Sequence, residues 1–189
     1  MKPLVSVIVL TYNQQDTIAR TLDSILAQRV SFPFEIVIGE DAGTDGTRSI
    51  CEDYVRRYPD KVRLMPKAPN KGVVRNYFDT LEACRGEYIA DCAGDDYWTS
   101  DTKLQRQADI LMQRPEVAVV HTAWVKRKRK NYCLSAEELL SCNSLQLLIP
   151  AYRPPNLLPR HPPLHRALPP PDNHRCLPQG TAFLPRLPV

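Results

Sequence analysis

The acids that can do chemistry in this chain gather in a few short stretches. "YIADCAGDDYW", Tyr88 to Trp98, holds Asp91, Asp95 and Asp96 within six positions. Carboxylates this crowded repel one another unless a cation sits among them. A hard divalent ion held by one or two carboxylates plus phosphate oxygens matches Mg²⁺ or Mn²⁺. Such an ion can neutralise a departing nucleoside diphosphate. Asp95 is the candidate ligand, while Asp96 and Asp101 fit equally well as an acidic turn leading into the next helix.

Three other stretches carry ligand-binding residue types. In "IGEDAGTDGT", Glu40 and Asp41 follow an apolar run and can accept hydrogen bonds from a ribose hydroxyl or a base N–H. Gly43 and Gly46 permit tight turns beside a ligand, and Thr44, Asp45 and Thr47 are natural helix N-caps. The glycines here lack G-x-G-x-x-G spacing, so that type of dinucleotide fold is not expected. In "TYNQQDT", Thr11 and Asn13 can meet a nucleobase edge, and Tyr12 can stack or pack. In "APNKGVVRN", Lys71 and Arg75 can meet a diphosphate.

These stretches need a scaffold, and the apolar periodicity supplies one. Strands are expected over 4–10, 34–39, 61–65, 87–92 and 116–122. Helices are expected between them. Ile18, Leu22, Ile25 and Leu26 form one helical face, with Asp16 as its N-cap. Ile50, Tyr54 and Tyr58 form the second; Val74, Tyr77, Phe78 and Leu81 the third; Leu104, Ala108, Leu111 and Met112 the fourth, capped by Ser100 or Thr99. Strand–helix alternation at this rhythm implies an α/β fold: a mainly parallel sheet flanked by helices, with right-handed crossovers. Ligands bind such sheets at the carboxyl ends of the strands. All four chemistry-bearing stretches follow a strand.

The chain has 189 residues and 43% hydrophobic content, enough for one domain with a real core. Residues 1–124 carry 15 Lys and Arg against 18 Asp and Glu, whereas 125–189 carry 10 against 3. The basic excess therefore lies outside the expected fold, which argues against a nucleic-acid partner. The six cysteines form no C-x-x-C pair, so no zinc site is expected. The first apolar run is too short for a signal peptide or membrane span, giving a cytoplasmic expectation with free thiols. "KRKRK", 126–130, is a solvated run that can touch an anionic membrane surface peripherally. Residues 125–149 read as a basic linker followed by a short helix within 135–148. Of the last 40 residues 12 are Pro, and Pro, Leu, Arg, His and Gln make up 28. All five amino acids have codons beginning with C. Residues 150–189 thus read as a Pro-rich tail, disordered or frameshifted, with little packed structure.

"VSVIVLTYNQQDTIARTLDSILAQ", "EIVIGEDAGTDGT", "NKGVVRN" and "GEYIADCAGDDYWTSDTKLQRQ" together resemble the family 2 glycosyltransferases of GT-A fold, over about residues 3–124 and in order. The resemblance implies inverting transfer of a sugar from a nucleotide sugar, usually a UDP sugar, to a saccharide or lipid-linked acceptor, with a divalent metal. It implies that Thr11 and Asn13 lie at the nucleoside site, that Glu40 and Asp41 are the acidic pair at the base, and that Lys71 is on the nucleotide loop. It further implies that Asp95 is the metal-binding last acid of the D-x-D motif, with Asp96 the acid after it, on the acceptor side. Two departures stand out. Ala93 occupies the position of the motif's first acid, and Asp91 stands where the family has an apolar strand residue. The catalytic base is unassigned: after residue 124 the only acids are Glu137, Glu138 and Asp172, none in a recognisable motif. The alternative is a non-catalytic nucleotide-binding remnant. A phosphatase-type use of Asp41 and Asp45 is disfavoured, since such a pair should be one residue apart after the first strand.

Overall fold

The computed structural model describes residues 1–122, 146–150 and 182–185. Strand β1 (Val5–Thr11) is central and pairs in parallel with β2 (Phe34–Glu40) and β4 (Tyr88–Ala93). Strand β3 (Val62–Leu64) extends the parallel set beyond β2. The helices α1 (Ile18–Leu26), α2 (Thr47–Arg57), α3 (Val73–Glu82) and α4 (Lys103–Gln113) alternate with these strands, as the periodicity predicts.

Side chains alternate across the strands and build two cores. Val5, Val7 and Val9 of β1 pack with Ile36, Ala90 and Cys92 against Ile18, Leu22, Ile25, Tyr54 and Leu104 of α1, α2 and α4. Ile8, Val37 and Ile89 face the other way, where Tyr77 and Leu81 of α3 join a smaller cluster. β1 and β2 are buried nearly throughout, which explains their mainly apolar text.

The far edge of the sheet is antiparallel. Strand β5 (Val117–Thr122) does not pair with β4; β6 (Gln146–Pro150) lies between them, and β7 (Ala182–Pro185) flanks β5, giving the order β3-β2-β1-β4-β6-β5-β7. Residues 146–148, expected as the end of a helix, are therefore strand, and 182–185 of the Pro-rich tail are paired. The rest of that expected helix, the "KRKRK" run and the remainder of the tail lie outside the described residues.

The third helix departs from its expected face. Asn76 and Thr80 are buried, whereas Val73, Val74 and Phe78 are 69%, 68% and 55% exposed. The reason lies in β2. Gly39 has no side chain, so Asn76 Nδ2 reaches the Gly39 carbonyl at 2.8 Å, and a Cβ at that position would sit 2.2 Å from Thr80 Oγ1. A close polar seat there outweighs the apolar stripe that only Tyr77 and Leu81 still serve. Two smaller differences concern helix ends. The N-cap of α1 is Thr17, not Asp16, and α4 begins after Thr102, with Ser100 accepting the Thr102 N–H. Met112 is likewise 46% exposed rather than in the core.

Candidate functional site

The carboxyl ends of β1, β2 and β4 open into a cavity of about 630 Å³. Thr11, Tyr12 and Gln14 line it from the first strand end, Asp41 and Asn70 from the β2 side, Asp91, Ala93 and Asp96 from β4, and Tyr77 from α3. Beside it lies a smaller polar depression of about 220 Å³, bordered by Asn13, Gln14, Asp16, Asp45 and Asp95. Gln14 touches both.

The site residues expected from the sequence divide between these spaces. Thr11 is buried in the main cavity, and its hydroxyl has no protein partner. Asp41 is buried there too. It accepts the Lys71 N–H at 2.8 Å and the Gly72 N–H at 2.9 Å, while Asn70 Nδ2 donates to its carbonyl. One carboxylate thus ties the loop after β3 to the end of β2. Lys71 contributes that backbone contact; its ammonium pairs with Asp79 at 2.6 Å, as Arg75 does at 2.8 Å. Neither cation points a free charge into the cavity, and together they hold the Asp79 carboxyl below the usual range.

Glu40 lines neither space. Its carboxylate accepts the Gly43 N–H and pairs with Arg48 at 3.3 Å, bracing the turn into α2. Asn13, with φ of 52°, uses Oδ1 to accept the Thr44 N–H at 2.7 Å. The N-cap of α2 is Gly46 rather than Asp45 or Thr47; Asp45, one residue earlier, accepts the Thr47 N–H at 2.9 Å, and hydrogen bonding with the Thr47 side chain and backbone lowers its pKa. Thr47 instead accepts the Gln14 N–H at 2.7 Å.

Asp95 and Asp96 are adjacent in sequence yet separated in space. Asp95 is exposed beside the smaller depression; Asp96 is half-buried on the main cavity. A polar stripe on α1 imposes this. Thr17 donates to the Gly94 carbonyl at 3.0 Å, and the Thr21 hydroxyl lies 2.9 Å from Gly94 O and 2.6 Å from Asp96 O. Ser24 accepts the Trp98 N–H at 3.0 Å, and Gln28 bridges Ser100 O and the Leu104 N–H. Residues at i, i+4, i+7 and i+11, from the N-cap of α1 to just past its C-cap, therefore grip residues 94, 96, 98 and 100 of the acidic loop. Gly94 is required here, because an added Cβ would lie 2.4 Å from Gln14 Oε1 and 2.7 Å from Thr11 Oγ1.

Asp91 and Ala93 share the α3-facing side of β4, as strand alternation requires. Burial pushes the Asp91 carboxyl up to about 6, against the pull of Lys103 and a hydrogen bond from Tyr77. Burial also pushes the Lys103 ammonium down to about 8; it donates to Gln107 at 2.8 Å and stands over the Trp98 ring. Gln14, Asn70 and Tyr77 were not singled out as site residues by the sequence reading. Two of them lay inside quoted motifs, but Tyr77 reads only as helix stripe.

For a metal, the described residues contain no group of three His, Cys, Asp or Glu side chains able to hold an ion. The hard donor at the end of β4 is the exposed Asp95 carboxylate, with Asp96 turned to the main cavity. That suits an ion completed by ligand phosphates rather than one caged by protein.

Comparison with known proteins agrees with this geometry. The model for Glycosyl transferase family 2 matches residues 6–163. An uncharacterized protein of Mycobacterium tuberculosis is 45% identical over 114 residues, 60% of this chain and 33% of that protein. The putative teichuronic acid biosynthesis glycosyltransferase TuaG of Bacillus subtilis is 38% identical over 114 residues, 60% of this chain and 44% of TuaG. The chain thus spans a third to under a half of the relatives it matches. Among solved structures, the mannosyltransferase PcManGT from Pyrobaculum calidifontis, in complex with GDP-Man and Mn²⁺, superposes with a TM-score of 0.57 at 29% identity, over 67% of this chain and 36% of that one. S. aureus TarS 1-349 in complex with UDP-GlcNAc gives 0.53 at 29%, over 63% and 33%. No described helix is long and apolar enough to cross a membrane. With the family model covering most of its length, and a parallel sheet whose carboxyl rim forms the cavity, the chain belongs to glycosyl transferase family 2.

Proposed function

We propose that residues 1–124 form the nucleotide-sugar-binding part of an inverting, metal-dependent glycosyltransferase, with a UDP sugar as donor and a saccharide or lipid-linked acceptor of polysaccharide biosynthesis. The observation that carries this reading is the convergence of Thr11, Asp41 and Asp96, from three different strand ends, on one cavity. Thr11, Asn13, Glu40, Asp41 and Lys71 serve the nucleotide, Asn13 and Glu40 by shaping the turns around it. Asp41 fixes the Lys71–Gly72 backbone, so the loop that meets the nucleotide is set before the ligand arrives. Tyr12, 50% exposed at the cavity mouth, offers a ring for the base.

Asp95 would hold Mg²⁺ or Mn²⁺ jointly with the diphosphate, while Asp96 faces the main cavity on the acceptor side. The bound ion supplies charge neutralisation for the leaving nucleotide. The protein's own part is to bind, orient and hold still: the α1 stripe fixes the loop backbone, so both carboxylates are presented without reorganisation.

A second reading, nucleotide binding without transfer, is favoured by Ala93, which lines the cavity at a strand end and offers no carboxylate. Calorimetry separates the outcomes. Soluble, folded protein should bind UDP with Mn²⁺ and lose most affinity in EDTA; absence of metal-dependent binding rejects both readings. Hydrolysis or transfer of a UDP sugar above buffer rejects the second alone.

A further inference from the structure

Among the described residues, seven large apolar side chains are exposed, and three of them fall within six positions: Val73, Val74 and Phe78 of α3. Scattered apolar residues on a surface need no explanation, but a cluster on adjacent turns of one helix does. The polar seat of Asn76 against β2 is what turns this cluster outward. It also extends the lip of the main cavity. Gly72 and Val73 line that cavity, and so does Tyr77, whose ring meets Phe78 edge-on at 5.7 Å.

The surface around the cluster is cationic. Residues 66–78 hold Lys67, Lys71 and Arg75 and no acid. Lys67 is exposed. Lys71 and Arg75 share one acid, Asp79, which can balance only one of the two charges. That acid is also the covered member: its side chain is 16% exposed against 72% for Arg75, so the guanidinium is what faces outward. The next acid, Glu82, lies at the end of α3 opposite Gly72 and the cavity. Exposed valine and phenylalanine among long basic side chains fit a surface that is anionic outside and apolar just beneath, as at the headgroup boundary of a bilayer. A second copy of the chain fits less well, because an isologous contact sets each cationic face against its twin. The rest of the fold offers no general attraction to an anionic surface, since residues 1–124 carry 15 Lys and Arg against 18 Asp and Glu. The attraction is local, and it orients the molecule.

We propose that the face of α3 formed by Val73, Val74 and Phe78, with Lys67 and Arg75 around it, docks on an anionic lipid bilayer. Its consequence for the reaction rests on the nucleotide-sugar reading above: docking there brings the cavity mouth to the headgroup layer, where a lipid-linked acceptor presents its polar head.

The test is co-sedimentation of the full chain with vesicles of phosphatidylcholine, alone or mixed with phosphatidylglycerol, at low and at high salt. The variants are the double change Val74→Ser with Phe78→Ser, and Lys67→Glu. None of these residues lines the cavity, and a thermal melt verifies that each variant folds. Wild-type protein should bind the mixed vesicles, more weakly at high salt and on phosphatidylcholine alone. Affinity should fall about tenfold in the double variant and about fivefold in Lys67→Glu, with Mn²⁺-dependent UDP binding unchanged in both. Wild-type protein that stays in the supernatant with mixed vesicles overturns the proposal. So do variants that bind as wild type does, because the contact then lies elsewhere on the chain. A wild-type dimer in sedimentation velocity that the double variant abolishes also overturns it, by assigning the face to a second copy. Those three results leave the nucleotide site standing. Vesicle binding that depends on this face in protein that binds no UDP upholds the docking surface and rejects the nucleotide reading.

Discussion

Two carboxylates inside the same sheet are treated in opposite ways. Glu35 lies near the amino ends of the parallel strands and is 2% exposed. It accepts from Ser6 at 2.7 Å, from the Arg85 N–H at 2.8 Å, and from the Arg63 and Arg85 guanidinium groups at 3.0 and 2.7 Å. Burial pushes its pKa up, and the four contacts acting together hold it below the usual value. Asp91, toward the carboxyl ends, is left with an oxygen unpaired and a pKa of about 6. One end of the sheet is finished by the protein. The other keeps a buried acid with one oxygen unpaired beside the cavity, at the end where this architecture binds ligands.

Breaking the finished end should have the largest effect. Glu35→Ala leaves the Ser6 hydroxyl proton without its acceptor and the Arg85 N–H with only its longer bond to Ser6 Oγ, while the partly exposed guanidinium groups regain water. The expected loss is about 3 kcal/mol, read by urea unfolding, with little change in UDP affinity.

The pH dependence of the two acids should have opposite signs. Glu35 has a lowered folded pKa, so its stabilisation is present above its ordinary value of 4.5 and is lost as pH falls through the folded value. Asp91 has a raised folded pKa, so it costs stability above about 6 and the cost is relieved as pH falls toward 3.8. Asp91→Leu should therefore be more stable than wild type by about 2 kcal/mol at pH 7.5, with the gap closing by pH 4. A gap that does not close would show that packing, not ionisation, sets the difference.

The acidic loop sharpens the comparison further. Thr21→Val keeps the shape but removes the hydroxyl between Gly94 O and Asp96 O, at an expected cost of about 1–2 kcal/mol. Mn²⁺-dependent UDP affinity should fall more than metal-free affinity, and Thr21→Ser should restore it. Smallest of all, Phe78→Ser on the exposed side of α3 should change stability by no more than about 0.5 kcal/mol.

Much of this organisation is legible in the sequence. β1 and β2 announce themselves by mainly apolar runs, because both faces are covered, whereas β3 and β4 carry Arg63 and Asp91; the acids that follow the strands mark the rim. What the sequence hides depends on distant partners. The face of α3 is decided by a missing side chain at Gly39, on another element. The insertion of β6 between β4 and β5 is a matter of pairing, which local pattern does not encode. The parting of Asp95 from Asp96 comes from hydroxyls on α1 more than 70 residues earlier in the chain. Glu40 and Lys71 read alike as ligand contacts, yet their side chains serve the turn and Asp79.

The grip of α1 on the acidic loop has a practical corollary. Every contact from Thr17, Thr21, Ser24 and Gln28 to residues 94, 96, 98 and 100 ends on a main-chain atom. The path of the loop is thus largely written in the helix through main-chain contacts. The exposed position 95 can be randomised as a library while the backbone that carries it stays where it is, whereas Tyr97 stacks its ring against Arg20 of α1. Ion preference or ligand preference could in that way be re-engineered at the rim without renegotiating the fold.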